Sequence, residues 1–129
     1  MTTGIKDVDL KILSELDDMS LLNFCKTSTY GKKLCENEIF WFNRTLSKYG
    51  KVEKNPKRSW KNLYLKLTYY LDKYTKRRAL IELVKNVNKN LDLIKIIISF
   101  IEDKEEKRKA ISRITGDKNL IKFLEKKIN

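Results

Sequence analysis

Short runs of apolar residues alternate with polar breaks through the first fifty residues of the chain. DVDLKILSEL, over residues 7–16, has the apolar spacing of an amphipathic helix, and a second helical run begins near Ser20. A third run covers residues 30–35. Asn37, a residue type that caps helix N-termini, precedes EIFWFNRTLSKYG, and Gly50 supplies a C-terminal stop. The pattern predicts four short helices.

The pattern changes after residue 50 to longer amphipathic segments. Residues 51–58 are polar and contain Pro56, so we expect a loop there. Ser59 then caps a predicted helix over residues 59–74. On that helix, large apolar residues fall at i, i+3, i+4, i+7, i+11 and i+14: Trp60, Leu63, Tyr64, Leu67, Leu71 and Tyr74. Such a face predicts packing on a core.

Two helix pairs are predicted downstream, over residues 76–102 and 104–128. The segment LDLIKIIISFIED is apolar on most sides, which predicts a helix that its neighbours cover. The second pair includes LIKFLEKKI, whose inward-facing positions are Leu120, Ile121, Leu124 and Ile128. The predicted fold class is therefore all-α, with an N-terminal helical bundle over residues 1–50 and a basic helical domain over residues 51–129.

Composition narrows the chemistry that the chain can perform. The 129 residues include no histidine, which is the commonest general base and a common zinc ligand. The sequence also has no Gly-rich phosphate loop, no Cys-x-x-Cys pair and no catalytic signature. We therefore expect no enzymatic activity, no catalytic residue, no bound metal and no cofactor.

Export and membrane signals are not found in the sequence. Its longest apolar run, residues 94–101, is far shorter than the roughly 20 residues that span a bilayer. We expect a soluble, intracellular protein that is not secreted and does not bind a membrane. In such a chain Cys25 and Cys35, each beside apolar residues, are interpreted as two buried thiols in preference to a disulfide.

Positive charge is concentrated beyond residue 50. The chain carries a net charge of +12, and residues 1–50 contain seven basic and seven acidic residues, so the excess lies downstream. Between residues 51 and 78, basic side chains alternate with aromatic ones, a mixture that can bind nucleic acid. The candidate nucleic-acid or nuclear-import patch is Lys57, Arg58, Lys61, Lys76, Arg77 and Arg78. The alternative is a solvated basic face produced by an AT-rich coding sequence.

Four stretches near the N-terminus carry a resemblance to a known motif: ILSEL (residues 12–16), the Asp pair at 17 and 18, LLNFCK (residues 21–26) and IFW (residues 39–41). Together they resemble an F-box over residues 5–50. In that family a hydrophobic first helix ends in Leu, an acidic turn precedes a Leu-Leu pair, and a Cys-basic pair and a Trp follow. The resemblance is closest to the F-box-like modules of AT-rich giant DNA viruses.

The F-box resemblance implies docking on a Skp-type adaptor of a cullin ubiquitin ligase, in the cytoplasm or nucleus of a host cell. The docking residues that it implies are Ile12, Leu13, Leu16, Leu21 and Leu22. Cys25 and Trp41 would pack the motif itself, and Phe40 or Phe42 would face the helix that begins at Trp60. Docking of this kind needs apolar anchors at short helical spacing. The alternative is that the same leucines form a private core.

The C-terminal half is weakly similar to ankyrin-like helix pairs, in NLDLIKIII (residues 90–98) and KNLIKFLEKKI (residues 118–128). This similarity implies a target-facing surface. The leading hypothesis is a non-enzymatic, F-box-like viral adaptor that presents a protein target to the host ubiquitin machinery. One alternative is a basic nucleic-acid-binding or nucleoid-associated viral protein. Another is a helical module that shares only the fold.

Overall fold

Helices form the secondary structure of the protein. A computed structural model describes residues 6–114 together with residues 122 and 126, and among these residues there are eight helices and no strand. The prediction of an all-α fold is confirmed. The helices are α1 (Lys6–Ser14), α2 (Asp18–Thr27), α3 (Thr29–Leu34), α4 (Glu38–Tyr49), α5 (Trp60–Lys73), α6 (Lys76–Val84), α7 (Val87–Ser99) and α8 (Lys104–Ile114).

The chain divides into two compact units. Unit 1 contains the described residues up to Lys51 together with Ser59–Tyr64, and unit 2 contains Val52–Arg58 and the described residues from Leu65 onward. Helices α1 to α4 therefore lie in unit 1, and α6 to α8 lie in unit 2. The first residues of α5 belong to unit 1 and the remainder to unit 2.

Side-chain caps set the boundaries of the short helices in unit 1. Asp17, Ser28 and Asn37 each accept a hydrogen bond from the backbone N–H three residues later, at 2.7, 2.9 and 2.9 Å. The second helix therefore begins earlier than the sequence predicts near Ser20, because Asp17 satisfies its free N–H groups. Gly50 ends α4 with a φ of 78°, a conformation that glycine adopts readily.

Trp41 occupies the centre of the core of unit 1. Its side chain is fully buried, and the indole Nε1–H donates a hydrogen bond of 2.7 Å to the carbonyl oxygen of Cys35. The ring centroid of Tyr64 lies 5.5 Å from that of Trp41. The neighbouring Phe42 faces Trp60, with 4.9 Å between ring centroids. Of the three consecutive aromatic residues in α4, Phe42 is thus the one in contact with Trp60.

A disulfide joins α2 to the end of α3. It links Cys25 and Cys35, whose Cα atoms are 5.7 Å apart, a usual separation for such a bond. The prediction of two separate thiols is therefore wrong. The disulfide forms because a single residue, Ser28, connects α2 to α3. This short connection lets the two helices pack closely enough for the cysteine side chains to meet.

Two further features hold the helices of unit 1 together. Gly31 allows α3 to lie close to α2, since a Cβ atom there would stand 2.7 Å from the carbonyl oxygen of Phe24. Asp9, on α1, is 2% exposed and accepts a hydrogen bond of 2.5 Å from the Tyr30 hydroxyl on α3. This bond to the carboxylate, together with burial, raises the pKa of Tyr30.

Unit 2 is built around the apolar helix α7. Its core side chains come from α5 to α8: Leu67, Ala79, Leu80, Leu83, Leu93, Ile94, Ile96, Ile97, Ile98, Ala110 and Ile111. Helices α6 and α7 pack against each other, and α8 packs against α6. Of the second predicted helix pair, α8 is described. The predicted helix with Leu120, Ile121, Leu124 and Ile128, and most of the ankyrin-like stretch over residues 118–128, lie outside the described residues.

Candidate protein-binding site of unit 1

The five leucine and isoleucine positions implied by the F-box resemblance do not form one exposed surface. Leu13 is 2% exposed and Leu21 is fully buried, so both belong to the core of unit 1. Ile12, Leu16 and Leu22 are half-buried. The private-core interpretation therefore describes two of these residues, because helical periodicity identifies an apolar face without revealing what covers it.

Three of the larger exposed apolar side chains of unit 1 lie on α4, while Val8 is exposed on α1 and Met19 on α2. Ile39 is 71%, Phe42 is 39% and Leu46 is 43% exposed. Their spacing of i, i+3 and i+7 places them on one face of the helix, away from the buried Trp41. Sequence reasoning missed this face. The available signal was that α4 has apolar residues on two sides, of which a single core covers one.

A groove lies between α1 and α4 and extends the apolar surface around Ile39. Its volume is about 780 Å³, and it is lined by apolar residues from α1, from the turn that follows α1 and from α4: Leu10, Leu16, Ile39 and Phe40. We call it the α1–α4 groove. Leu16 is the predicted docking residue that reaches this site, while Leu10 and Ile39 were not among the predicted residues. The groove is large enough to take several apolar side chains.

Polar and charged side chains form the rim of the groove. Its cations are Lys6, Lys11, Arg44 and Lys48, and Asp7 is the carboxylate among the described lining residues. Ser14, Asn37, Asn43 and Ser47 add neutral hydrogen-bonding groups. We call the apolar lining residues the floor of the groove and the polar and charged lining residues its rim; a combination of the two is usual in protein-binding surfaces.

Asp18 holds the two rim cations of α4 in place. Its carboxylate receives the Arg44 Nη2 at 2.7 Å and the Lys48 Nζ at 3.3 Å. The Tyr64 hydroxyl donates a third hydrogen bond, at 2.6 Å. Burial alone raises the pKa of Asp18, but the hydrogen bonds from Tyr64 and Arg44 outweigh it and lower the pKa below its usual value. Asp18 is therefore charged at neutral pH.

Arg44 is also fixed by the backbone of the turn that follows α1. Its Nη2 donates a hydrogen bond of 2.7 Å to the carbonyl oxygen of Leu16, and its side chain is only 11% exposed. The wall of the groove contributed by α4 is consequently anchored to α2 through Asp18 and to the end of α1 through Leu16. Such anchoring keeps the groove open in a defined shape.

Arg58, a member of the predicted basic patch, is an internal residue of unit 2. Its Nε lies 2.8 Å and its Nη2 3.2 Å from the two carboxylate oxygens of Asp92, a bidentate ion pair. The two side chains are 10% and 7% exposed. The backbone N–H of Asn55 also donates to Asp92, at 3.0 Å. Arg58 is therefore paired and largely buried within unit 2.

Four of the other five residues of the basic patch are exposed, and all five differ in their surroundings. Lys76 donates a hydrogen bond of 3.0 Å to the carbonyl oxygen of Phe100. Arg77 and Arg78 form exposed ion pairs with Glu106 and Glu82, at 3.7 and 3.5 Å. Lys57 is exposed in unit 2 and Lys61 is half-buried in unit 1. Exposed ion pairs of this kind are weak, so Arg77 and Arg78 still contribute positive charge to the surface of the protein.

The part of the chain that the structure describes contains neither a cluster of metal-binding side chains nor a membrane-spanning helix. No cluster of three or more His, Cys, Asp or Glu side chains occurs within residues 6–114 that could hold a metal ion. No helix among those described is long and apolar enough to cross a membrane.

Comparisons with protein-family models, with curated proteins and with solved structures find no match for the chain. The F-box resemblance accordingly depends on the residues that carry it, at positions 12–18, 21–26 and 39–41. An argument about function starts from the groove and its exposed apolar residues.

Proposed function

We propose that the protein is a non-enzymatic interaction protein, and that the α1–α4 groove of unit 1 binds a helical segment of a partner protein. The observation that carries this proposal is the position of Ile39. Its side chain is 71% exposed and lines the groove together with the apolar residues Leu10, Leu16 and Phe40. Burying an isoleucine of this kind contributes about 1.5 to 3 kcal/mol, which favours association with an apolar partner surface.

The F-box resemblance supports a specific partner class, a Skp-type adaptor of a cullin ubiquitin ligase. The docking set proposed from the structure differs from the set implied by sequence. Leu10, Leu16 and Ile39 are the groove anchors, whereas Leu13 and Leu21 support the fold beneath them. Anchors on α1, on the turn that follows it and on α4 suit the apolar face of an inserted helix.

Under the same proposal, unit 2 presents a protein target to the ligase, and the protein acts inside a host cell as a viral adaptor. The resemblance of residues 90–98 to an ankyrin-like helix supports the first statement. The disulfide between Cys25 and Cys35 bears on the second, because cytosolic thiols are normally kept reduced. The oxidation state of these cysteines in infected or transfected cells is therefore a test of the proposed location.

Co-purification with a Skp-type adaptor tests the proposal. Ile39→Asp should reduce the adaptor recovered by at least about tenfold, since a charge enters the apolar contact. Met19→Asp is the matched control: Met19 is 73% exposed on α2 of the same unit and does not line the groove. Adaptor binding by wild type that both variants lose equally, or no binding by wild type, would overturn the proposal.

A second candidate function is nucleic-acid binding by unit 2. The observation that favours it is Tyr69, which is 51% exposed next to the ammonium group of Lys73, 5.2 Å from the ring centroid. Exposed aromatic rings beside cations suit stacking on bases. Titration with single-stranded DNA tests this function. Tyr69→Ala should weaken binding, and the affinity should fall steeply with added salt.

A further inference from the structure

We propose that the segment which occupies the α1–α4 groove is an acidic amphipathic helix, with aliphatic anchors on one face and Asp or Glu residues beside them. The inference rests on the proposed function, because it names the chemistry of the partner at the same groove. It applies to any protein that supplies such a helix.

Charge on the rim of the groove carries the inference. Lys6 and Lys11 are exposed on α1. Among the described residues neither of them forms an ion pair with a carboxylate. On the opposite wall, Lys48 is 39% exposed. Asp7 is the one acidic residue among the described groove lining. A partner with carboxylates at these places gains attraction that a neutral partner lacks.

The ion pairs within unit 1 do not cancel this charge. Arg44 and Lys48 share a single carboxylate, that of Asp18, so the α4 wall keeps a net positive charge. Together with Lys6 and Lys11, both walls of the groove are cationic. Attraction for an acidic segment therefore acts along the whole groove.

The apolar floor determines that the acidic partner is amphipathic. Leu10, Leu16, Ile39 and Phe40 offer aliphatic and aromatic surface that a purely acidic segment would leave exposed to water. A nucleic-acid strand fits less well, because the Tyr64 ring is held by its hydroxyl bond to Asp18 and the rest of the floor is mostly aliphatic. A second copy of this chain is disfavoured by the net charge of +12 on each copy.

Helix dimensions limit the length of the partner segment. Helix α1 has 9 residues and α4 has 12. At 1.5 Å per residue they are about 14 and 18 Å long, so a partner helix of roughly three turns spans the groove. Lys6 and Lys11 are about 7 Å apart along the axis of α1, which matches carboxylates between one and two turns apart on the partner.

Designed peptides test the charge preference directly. The probes are amphipathic 15-residue helices with Leu at i, i+3 and i+7 and with Glu, Gln or Lys at the flanking positions, titrated against the full chain by fluorescence anisotropy. The Glu peptide should bind about tenfold more tightly than the Gln peptide at low salt, and the Lys peptide more weakly than both. The advantage of Glu should shrink as salt rises from about 0.05 to 0.5 M.

Charge-reversal variants locate the effect. Lys6→Glu with Lys11→Glu should remove the preference for the Glu peptide and favour the Lys peptide. Lys32→Glu with Lys33→Glu is the matched control, because both lysines are exposed on α3 of the same unit and the net charge changes equally. This control should keep the preference for Glu. Equal loss in both double variants would overturn the inference, since the attraction would then come from overall charge.

The outcomes for the groove and for its charge preference are distinguishable. If the Gln and Glu peptides bind equally and Ile39→Asp abolishes both, the acidic partner is overturned while helix binding in the groove stands. If none of the peptides binds, the inference is overturned, and adaptor co-purification decides the proposed function separately. If a single-stranded oligonucleotide competes with the Glu peptide and Lys6→Glu with Lys11→Glu abolishes its binding, the groove is a nucleic-acid site and the inference fails.

Discussion

At the scale of single residues, Asp18 gathers three donors from two other helices of unit 1. Arg44 and Lys48 come from α4, and Tyr64 comes from the first residues of α5. The sequence offered Asp18 only as part of an acidic turn. Its role depends on which side chains the fold brings near, and no local pattern records that information.

Asp18→Asn should lower the free energy of unfolding by about 2 kcal/mol at neutral pH, because hydrogen bonds to a charged group contribute roughly that much. Folding lowers the pKa of Asp18, so its stabilisation is present above about pH 4 and is lost as the pH falls through the lower folded pKa. Urea unfolding at several pH values measures this loss. The exposed Asp72→Asn is the control, and a destabilisation that stays constant down to about pH 2 would contradict the assignment.

Asp92 and Arg58 form the buried ion pair of unit 2, and removing one partner isolates the charge of the other. Asp92→Ala should destabilise the protein by about 3 to 5 kcal/mol, because the largely buried guanidinium of Arg58 loses the carboxylate that balances its charge. Denaturant unfolding measures the change. Asp92→Leu combined with Arg58→Met should recover much of the lost stability, whereas an additive loss in that double variant would show that the pair is not the cause.

Gly31 lies where α2 and α3 pack too closely to leave room for a larger residue. Alanine favours helices over glycine by about 1 kcal/mol, yet Gly31→Ala should destabilise by roughly 1 to 3 kcal/mol. The new Cβ would stand 2.7 Å from the carbonyl oxygen of Phe24, so α3 has to move. Thermal unfolding measures the effect, with the neighbouring exposed Lys32→Ala as a control. An increase in melting temperature for Gly31→Ala would contradict the close packing of α2 and α3.

Sequence patterns around single residues predicted helix caps correctly but did not predict which side chains are buried. Caps depend on the residue and its next few neighbours, so Asn37 and Gly50 were predicted correctly. Burial depends on other helices, so Leu13 and Leu21 were interpreted as docking residues although they lie in the core. Ile39 was missed for the same reason, because its exposure depends on how the described helices pack around α4.

At the scale of elements, α4 contributes side chains both to the core of unit 1 and to its surface. One face supplies Trp41 and Thr45 to the core, and another exposes Ile39, Phe42 and Leu46. The three consecutive aromatic residues necessarily point in different directions from a helix. Helix geometry was sufficient to predict that the aromatic residues diverge, but the exposed face of Ile39, Phe42 and Leu46 is known only from the structure.

The disulfide is a property of the α2–α3 pair. A sequence separation of ten residues gives no indication of bonding, because the distance between the cysteines depends on the turn at Ser28. Separate thiols were predicted because no export signal was found in the sequence, and that prediction was wrong. The bond closes a short loop and so restricts the unfolded chain.

Replacing both Cys25 and Cys35 with Ser should lower the free energy of unfolding by about 2 to 3 kcal/mol, the value expected for a loop of this length. A reducing agent should lower the urea midpoint of wild type and leave the double variant unchanged. Thiol labelling under denaturing, non-reducing conditions provides the direct check. Two reactive thiols in freshly purified protein would contradict the disulfide.

At the scale of the whole molecule, hydrophobic periodicity was sufficient to predict the all-α class and the order of the helices over residues 6–114. The excess of positive charge beyond residue 50 follows directly from the sequence. Which of these charges are exposed, and which lie on one surface, depends on the fold. Arg58 is internal, and the basic rim of the α1–α4 groove lies in the half of the chain with balanced charge. A net charge by segment does not report which charges share a surface.

The most direct test of the central claim, that the α1–α4 groove binds a partner helix, is amide chemical-shift mapping of the isotope-labelled protein. Unlabelled Skp-type adaptor is the titrant. We expect the largest shifts in α1 (Lys6–Ser14) and α4 (Glu38–Tyr49), at residues that line the groove, and little change in α3 (Thr29–Leu34). Shifts confined to α3 or to unit 2, or no shifts at saturating adaptor, would contradict it.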